Sequence, residues 1–371
     1  AMGLSFVEIN LSVSQCLQAD LVTTGRELQA KYGVLPRQVN FEVTETIFDN
    51  LSAIMDRNLR ELAQLGYSFS LDDYGVGYSN IQRLRTLPLS LAGVLLGSKL
   101  ALVRWQVNGW VVVLICLTTI CLQILSNLSN ELGDVLRGTD TEQRQGPAYG
   151  LNSGVMTIAQ MKRLIGAFVV LCCLFGAAMI WLSFGTFFAL KPAALLVLGA
   201  AAIAAAMKYT LGKNPYGYRG LGDIFVFIFF GLVSVLGAYF VCAHQIDRWE
   251  LTLPAAGIGF FSIGVLNINN IRDMRTDAAN RVTVALRLGL RGARIYQTVL
   301  VCLGWAAFVC FAVLMPCGGI AAAHPALRWL FFITLPFYIL HLRGVWTTTD
   351  RALDRYFPLL VMGTFLLALL Y

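Results

Sequence analysis

Charge is scarce in this sequence: only 13% of its 371 residues are Asp, Glu, Lys or Arg, about half the share usual in soluble domains. Histidine is scarcer still. His244, His324 and His341 are scattered with no zinc-ligand spacing, which argues against a histidine-centred site. Nine cysteines are present, but Cys116, Cys121, Cys172, Cys173, Cys242, Cys302, Cys310 and Cys317 lie in or beside apolar stretches without paired ligand spacing. They read as small core residues. What is plentiful is apolar: 57% of residues are hydrophobic and mean hydropathy is +0.67. That excludes disorder and an ordinary soluble enzyme.

The charge that exists is divided unevenly. Residues 1–90 carry 7 Lys/Arg and 10 Asp/Glu, whereas residues 91–371 carry 21 and 11, so the two parts have net charges of −3 and +10. From residue 87 onward apolar blocks of about 17 to 25 residues recur, enough to cross a bilayer. Nine spans are predicted, at about 88–104, 109–130, 163–185, 192–208, 222–243, 253–271, 293–315, 326–342 and 356–371. Loops after the even-numbered spans hold sixteen Lys/Arg against five on the opposite face, among them Arg137, Lys208, Arg219, Arg272 and Arg281. By the positive-inside rule those loops and the amino-terminal part face the cytoplasm of a bacterial inner membrane, and the carboxyl end faces out. In a polytopic protein such basic loops meet head groups or anionic substrates, and no nucleic-acid partner is expected.

Residues 1–3 look like a cloning remnant, and the stretch from residue 4 onward does not read as a signal peptide. FVEINLSV, NFEVTETIF and YSFSLDDYG read as strands, with helices near 15–32, 51–65 and 79–86. The pieces FVEINLS, FEVTET and LDDYGVGYSN resemble, in order, inner strands of EAL-type cyclic-di-GMP phosphodiesterases, which are TIM barrels. That resemblance places the family's metal ligands at Asn10, Glu42 and Asp72, with Asp73 beside them. The Glu-Ala-Leu strand and the later catalytic strands are absent. Some three βα units of eight cannot close a barrel, so residues 4–82 are expected to be a truncated, inactive α/β fragment, fused on, and 83–371 the membrane domain.

The acids of the membrane part gather at span ends. Span two ends in NLSNELGDVLRGTD, where Asn130 and Asp134 are four apart and share a helix face. Span six ends in NINNIRDMRTD, which repeats the device with Asn269, Asp273 and Asp277. Paired motifs suggest duplicated halves, and acids this close to a membrane core tend to mark function. Oxygen donors of this kind suit Mg²⁺, which binds one or two carboxylates plus substrate phosphates. Cations beside them, including Arg144, Lys208 and Arg281, imply a multiply charged anion. A lipid diphosphate, its tail among the spans, meets both requirements.

These residues resemble the UbiA-type intramembrane prenyltransferases, and within them the branch acting on 1,4-dihydroxy-2-naphthoate in menaquinone synthesis. RTLPLSLAGVLLGS, SNELGDVLRGTDTEQRQGP, PYGYRGLGDIFVFIFFG and NNIRDMRTDAANRVTVALRLG carry the likeness across 83–371. It implies an all-α membrane bundle of about nine transmembrane helices, Mg²⁺ held by Asn130, Asp134, Asp140, Asn269, Asp273 and Asp277, and a polyprenyl diphosphate gripped by Arg144, Lys208 and Arg281. Asp134, Asp273, Asp277 and Lys208 become the catalytic candidates. Glu131 stands where the family usually has Asp, and Asn280-Arg281 where it usually has Gly-Lys. The loop YGYRGLGD offers Tyr216, Tyr218, Arg219 and Asp223 as an aromatic-acid pocket. Rival readings are another acceptor such as 4-hydroxybenzoate, a transporter, or a cyclic-di-GMP-binding membrane protein.

Overall fold

The structure is a computed structural model and describes residues 7–18, 20–44, 53–72, 85–138, 151, 156–278, 281–315 and 325–371. The chain divides into two compact units, Ala1–Gln82 with Pro147–Met156, and Arg83–Gly146 with Thr157–Tyr371.

In the first unit, strands β1 (Val7–Leu11), β2 (Val39–Thr44) and β3 (Ser68–Asp72) form a parallel sheet in sequential order. Parallel neighbours need a crossover, and helices α1 (Leu21–Tyr32) and α2 (Ala53–Gln64) supply the two. Leu11, Cys16 and Met55 are buried with Phe41 and Phe69 packed against them. Asn58, also buried, donates to the carbonyls of Cys16 at 3.0 Å and Gln18 at 2.8 Å, which ties α2 to the turn after β1. Register sets Asn10 opposite Glu42 and Thr44 opposite Asp72. Asp73 and most of the predicted 79–86 helix lie outside the described residues.

In the second unit the apolar blocks become helices α3 (Leu87–Leu102), α4 (Gly109–Leu136), α5 (Ile158–Phe184), α6 (Leu190–Lys208), α7 (Gly222–Ala243), α8 (Thr252–Arg272), α9 (Val284–Leu314), α10 (Leu335–Thr347) and α11 (Phe357–Leu370). Eight helical segments among the described residues are long and apolar enough to cross a bilayer; α3 is apolar but has 16 residues, about 24 Å of helix against a core of about 30 Å. The eighth and ninth spans begin as 3₁₀ turns, Pro325–Thr334 and Asp350–Arg355. Pro336 and Pro358 then open α10 and α11 in the first turn, where a missing N–H costs nothing. Thr157 and Gln160 make a capping box that starts α5, and left-handed Gly185 stops it.

The bundle's core is α8, packed against α9, α7 and α11, with Ile258, Phe261, Phe308 and Leu360 all buried. Close helix approach depends on small residues. On α3, Gly97 lies so near the carbonyl of Val235 that a Cβ there would overlap it. The middle of α7, Phe227–Gly237, is a π-helix, a wide form that recurs at functional sites. The polar links sort into two ends. Arg137 with Gly212, Arg281 with Asp134 and Arg272 with Asp354 tie one end; Lys99 with Leu369, Arg104 with Asp247 and Lys191 with His244 tie the other.

Candidate active site

A cavity of about 380 Å³ opens between α3, α4, α6, α7 and α8. Leu195, Leu198, Ala202, Phe225, Phe229 and Phe230 supply apolar lining, and Asn130 and Asn269, one from each acidic motif, line the same space. The motifs therefore meet, as their repetition in the sequence implies. One helical turn beyond Asn130 stands Asp134, 4% exposed. Its Oδ1 accepts from the Tyr218 hydroxyl at 2.7 Å and from Nη2 of Arg281. The same guanidinium lies 3.9 Å from Asp277 Oδ1 and stacks 4.4 Å from the Tyr218 ring centre. One cation thus joins an acid of the first motif to an acid of the second.

Burial works against the Arg281 charge, but the carboxylates of Asp134 and Asp277 outweigh it and hold the guanidinium above its ordinary range. Burial pushes the Tyr209 phenol up to about 12, so it stays a neutral donor at physiological pH. Asn130 is anchored by its neighbours. Gly133 has no room for a Cβ, which would fall 2.5 Å from the Thr210 side chain. That close approach lets the Thr210 hydroxyl donate to the Ser129 carbonyl at 2.8 Å and reach Asn130 Oδ1 at 3.3 Å.

Asp273 sits differently. Both its oxygens face Arg272, at 2.8 and 2.6 Å, and Arg272 also donates to Asp354 at 2.7 Å. Arg85 bonds Asp354 at 3.3 Å and Asn269 Oδ1 at 3.1 Å. A hydrogen-bonded chain therefore runs from neutral Asn269 into the alternating charges of Arg85, Asp354, Arg272 and Asp273. Pairing made by residues more than 80 positions apart carries no local signal, so Arg85 and Asp354 are not among the site residues expected from sequence. Gln123 and Thr86, which line the cavity, were missed too. For Gln123 a signal existed: positions 123, 127, 130 and 134 recur at helical spacing and are all polar.

The loop residues Tyr216, Tyr218, Arg219 and Asp223 do not converge on one pocket. Tyr216 lines the cavity, stacked on Phe225 at 3.9 Å between ring centres. Tyr218 goes to Asp134, whereas Asp223 accepts from Tyr296 at 2.8 Å. Arg219 is exposed, its backbone paired with Val282. Gly220, at φ 77°, turns the chain out of that bridge into α7. Lys208 is exposed at the end of α6 and does not line the cavity, although its neighbour Tyr209 does. Asp140 and Arg144 lie outside the described residues.

The sequence profile of the UbiA prenyltransferase family matches residues 89–368, and that of the EAL domain matches residues 2–94. The 1,4-dihydroxy-2-naphthoate octaprenyltransferase of Escherichia coli (strain K12) is 38% identical over 293 residues, 78% of this chain and 91% of that protein. Its counterpart in Haemophilus influenzae is 40% identical over 264 residues, 70% of this chain and 82% of that one. A solved apo structure of a UbiA homolog from Aeropyrum pernix K1 superposes with a TM-score of 0.58 at 17% identity, over 78% of this chain and 96% of its own, a likeness of fold.

Proposed function

The chain belongs to the UbiA prenyltransferase family, and from that premise we propose that it transfers a polyprenyl group from polyprenyl diphosphate to 1,4-dihydroxy-2-naphthoate with loss of carbon dioxide, a step of menaquinone synthesis. The observation that carries this reading is the meeting of Asp134 and Asp277 on Arg281, beside an apolar cavity lined by Asn130 and Asn269. The relatives' shared acceptor supports the naphthoate.

A divalent cation fits these residues. Two carboxylates of different motifs already share one cation, and Asn130, Asp134 and Asp277 offer hard oxygen there, whereas Asn269 and Asp273 are held by Arg85 and Arg272 and would join a metal only by giving up those partners. Mg²⁺ is the natural choice where a diphosphate completes the coordination. When bound, it supplies Lewis-acid stabilisation of the charge that develops on the departing diphosphate. Arg281, held charged by Asp134 and Asp277, donates to diphosphate oxygens, and exposed Lys208 draws the anion toward the end of α6. The bond from the prenyl carbon to diphosphate oxygen breaks. A carbon–carbon bond then forms at the carboxylate-bearing ring carbon, and the bond to the carboxylate breaks, its electron pair restoring the aromatic ring as carbon dioxide leaves. Phe225, Phe229 and Phe230 line the cavity beside these groups and exclude water from it.

The protein is a multi-pass membrane enzyme. Its cation-rich end and first unit are assigned to the cytoplasmic side of a bacterial inner membrane and its carboxyl end to the other side, on the excess of Lys/Arg in the even loops. Residues 4–82 are assigned as a fused fragment without phosphodiesterase activity. The deciding assay incubates the purified protein with Mg²⁺, a polyprenyl diphosphate and either 1,4-dihydroxy-2-naphthoate or 4-hydroxybenzoate, with products identified by mass. A prenylated, decarboxylated naphthoquinol from the first acceptor alone is expected; product from hydroxybenzoate alone overturns the acceptor, and none from either overturns the reaction.

A further inference from the structure

The cavity has two unlike walls. One is polar and comes from two helices: Thr86 and Ser90 at the start of α3, and Gln123, Asn127 and Asn130 along one face of α4. The lining contributed by α6 and α7 is aliphatic and aromatic apart from Ser234. A polyprenyl tail has no polar atom that would use the first wall, and polar groups turned toward an alkyl chain cost free energy. Their presence asks for a different occupant.

Gln123 organises the polar wall. It is 6% exposed and yet lines the cavity. Its Oε1 accepts from the Ser90 hydroxyl, and its Nε2 donates to Thr86 Oγ1 at 2.9 Å and to Asn127 Oδ1 at 3.0 Å. Both Nε2 hydrogens are thereby spent, whereas Oε1 keeps a second lone pair. Thr86 accepts through Oγ1, so its hydroxyl hydrogen is left to donate. The wall therefore presents one donor and one acceptor side by side, in a cavity that aromatic rings also line. From Gln123 to Asn130 the helix rises about 10 Å, the length of a substituted two-ring aromatic.

We infer that Thr86 and Gln123 form the acceptor subsite, Thr86 donating to one ring hydroxyl of a dihydroxy-aromatic acid and Gln123 Oε1 accepting from another. This rests on the prenyltransferase reading and adds to it the residues that choose the acceptor. A site built around hydroxyl groups rejects analogues that lack them, because its own polar groups are then stranded.

The test is steady-state kinetics on the detergent-purified protein with Thr86→Val, Thr86→Ser and Gln123→Leu, using 1,4-dihydroxy-2-naphthoate and a naphthoate lacking one hydroxyl. Loss of one neutral hydrogen bond corresponds to about a five- to tenfold effect. Thr86→Val and Gln123→Leu are expected to raise KM for the dihydroxy acid by that factor, with KM for the polyprenyl diphosphate within about twofold of the parent. Thr86→Ser restores it. The monohydroxy acid that penalises the parent carries no extra penalty in the variant that has lost the matching partner. If the KM change falls on the diphosphate substrate, or acceptor KM does not move, the subsite is refuted while the prenyltransferase reading stands. A parent protein that turns over no phenolic acceptor refutes both. Should Gln123→Leu not fold, Thr86→Val, which leaves the Gln123 amide in place, carries the same comparison.

Discussion

Replacing Arg272 by Met should damage the fold more than any other single change in the charged chain that ends at Asp273. Arg272 is 4% exposed and Asp273 8%, so water cannot take over the contacts that the guanidinium makes. Three charge-assisted bonds are lost, two to Asp273 and one to Asp354. Asp354 keeps Arg85 at 3.3 Å, but among the described residues Asp273 has no second cation to fall back on. Removing one partner of a buried pair costs about 3–5 kcal/mol, because the other charge stays behind uncompensated. At a few degrees per kcal/mol that is a fall in Tm of the order of 10 °C, read by thermal melting of the detergent-solubilised protein. Arg272→Lys keeps the charge but not the two-pronged grip and should fall between. Asp354→Asn should cost less, since Arg272 retains Asp273. The double variant Arg272→Met with Asp354→Asn should cost less than the two losses added, as both remove one shared bond. A Tm for Arg272→Met within about 2 °C of the parent would refute the view that this arginine holds the second motif in place.

Three further changes probe the site itself. Asp134→Asn or Asp277→Asn should lower kcat by about a hundredfold or more, the scale of losing a preorganised electrostatic group, with a lowered Tm for Asp134→Asn, which strips part-buried Arg281 of its nearer carboxylate; full turnover in either would remove that acid from the reaction. Lys208→Ala should raise KM for the diphosphate a few-fold at low salt and much less at about 0.5 M salt, because an exposed cation acts through a screened field. A salt-independent change would contradict that role. Gly133→Ala should destabilise the protein by about 1–3 kcal/mol, as overpacking does, by pushing Thr210 off Ser129 and Asn130; melting equal to the parent would show that the contact can relax.

The parts of this architecture visible in the sequence are those that repeat or run long. Apolar blocks gave the helices, and the spacing of Asn130 and Asp134, answered by Asn269, Asp273 and Asp277, gave the two ends that line one cavity. The strand pattern of the first unit was legible for the same reason, as Val7–Leu11, Val39–Thr44 and Ser68–Asp72. Partnerships were not. Whether Asp273 faces a metal, a substrate or an arginine depends on Arg85 and Asp354, which come from the two ends of the membrane unit. The loop Tyr216–Asp223 misled for a related reason: four promising side chains in eight residues look like one pocket, but successive turns at Gly217 and Gly220 send them to different partners.

The order of polar groups along α4 has a physical logic that connects fold to chemistry. Thr118 and Thr119 satisfy themselves on the carbonyls of Leu114 and Ile115, at 2.7 and 2.9 Å. Next come the amides Gln123, Asn127 and Asn130, and only in the last two turns the carboxylates of Glu131 and Asp134. In a medium where an unpaired charge is far more costly than a neutral amide, that gradient allows ions only at the mouth and hydrogen-bonding groups midway. α8 obeys the same rule, with Asn269 on the cavity and Asp273 one turn outward. A substrate with a charged head, a reactive carbon beside it and an apolar remainder has one low-energy orientation in such a field. With its head at Asp134 and Asp277 and its tail along α6 and α7, as proposed above, it would leave the amide-lined wall for the second reactant. Moving the charge inward by exchanging Asn130 and Asp134 keeps composition and net charge yet reverses the gradient. That exchange should abolish turnover with a loss of stability, seen as lowered Tm; an active, stable exchange variant would show that the order of these groups does not matter.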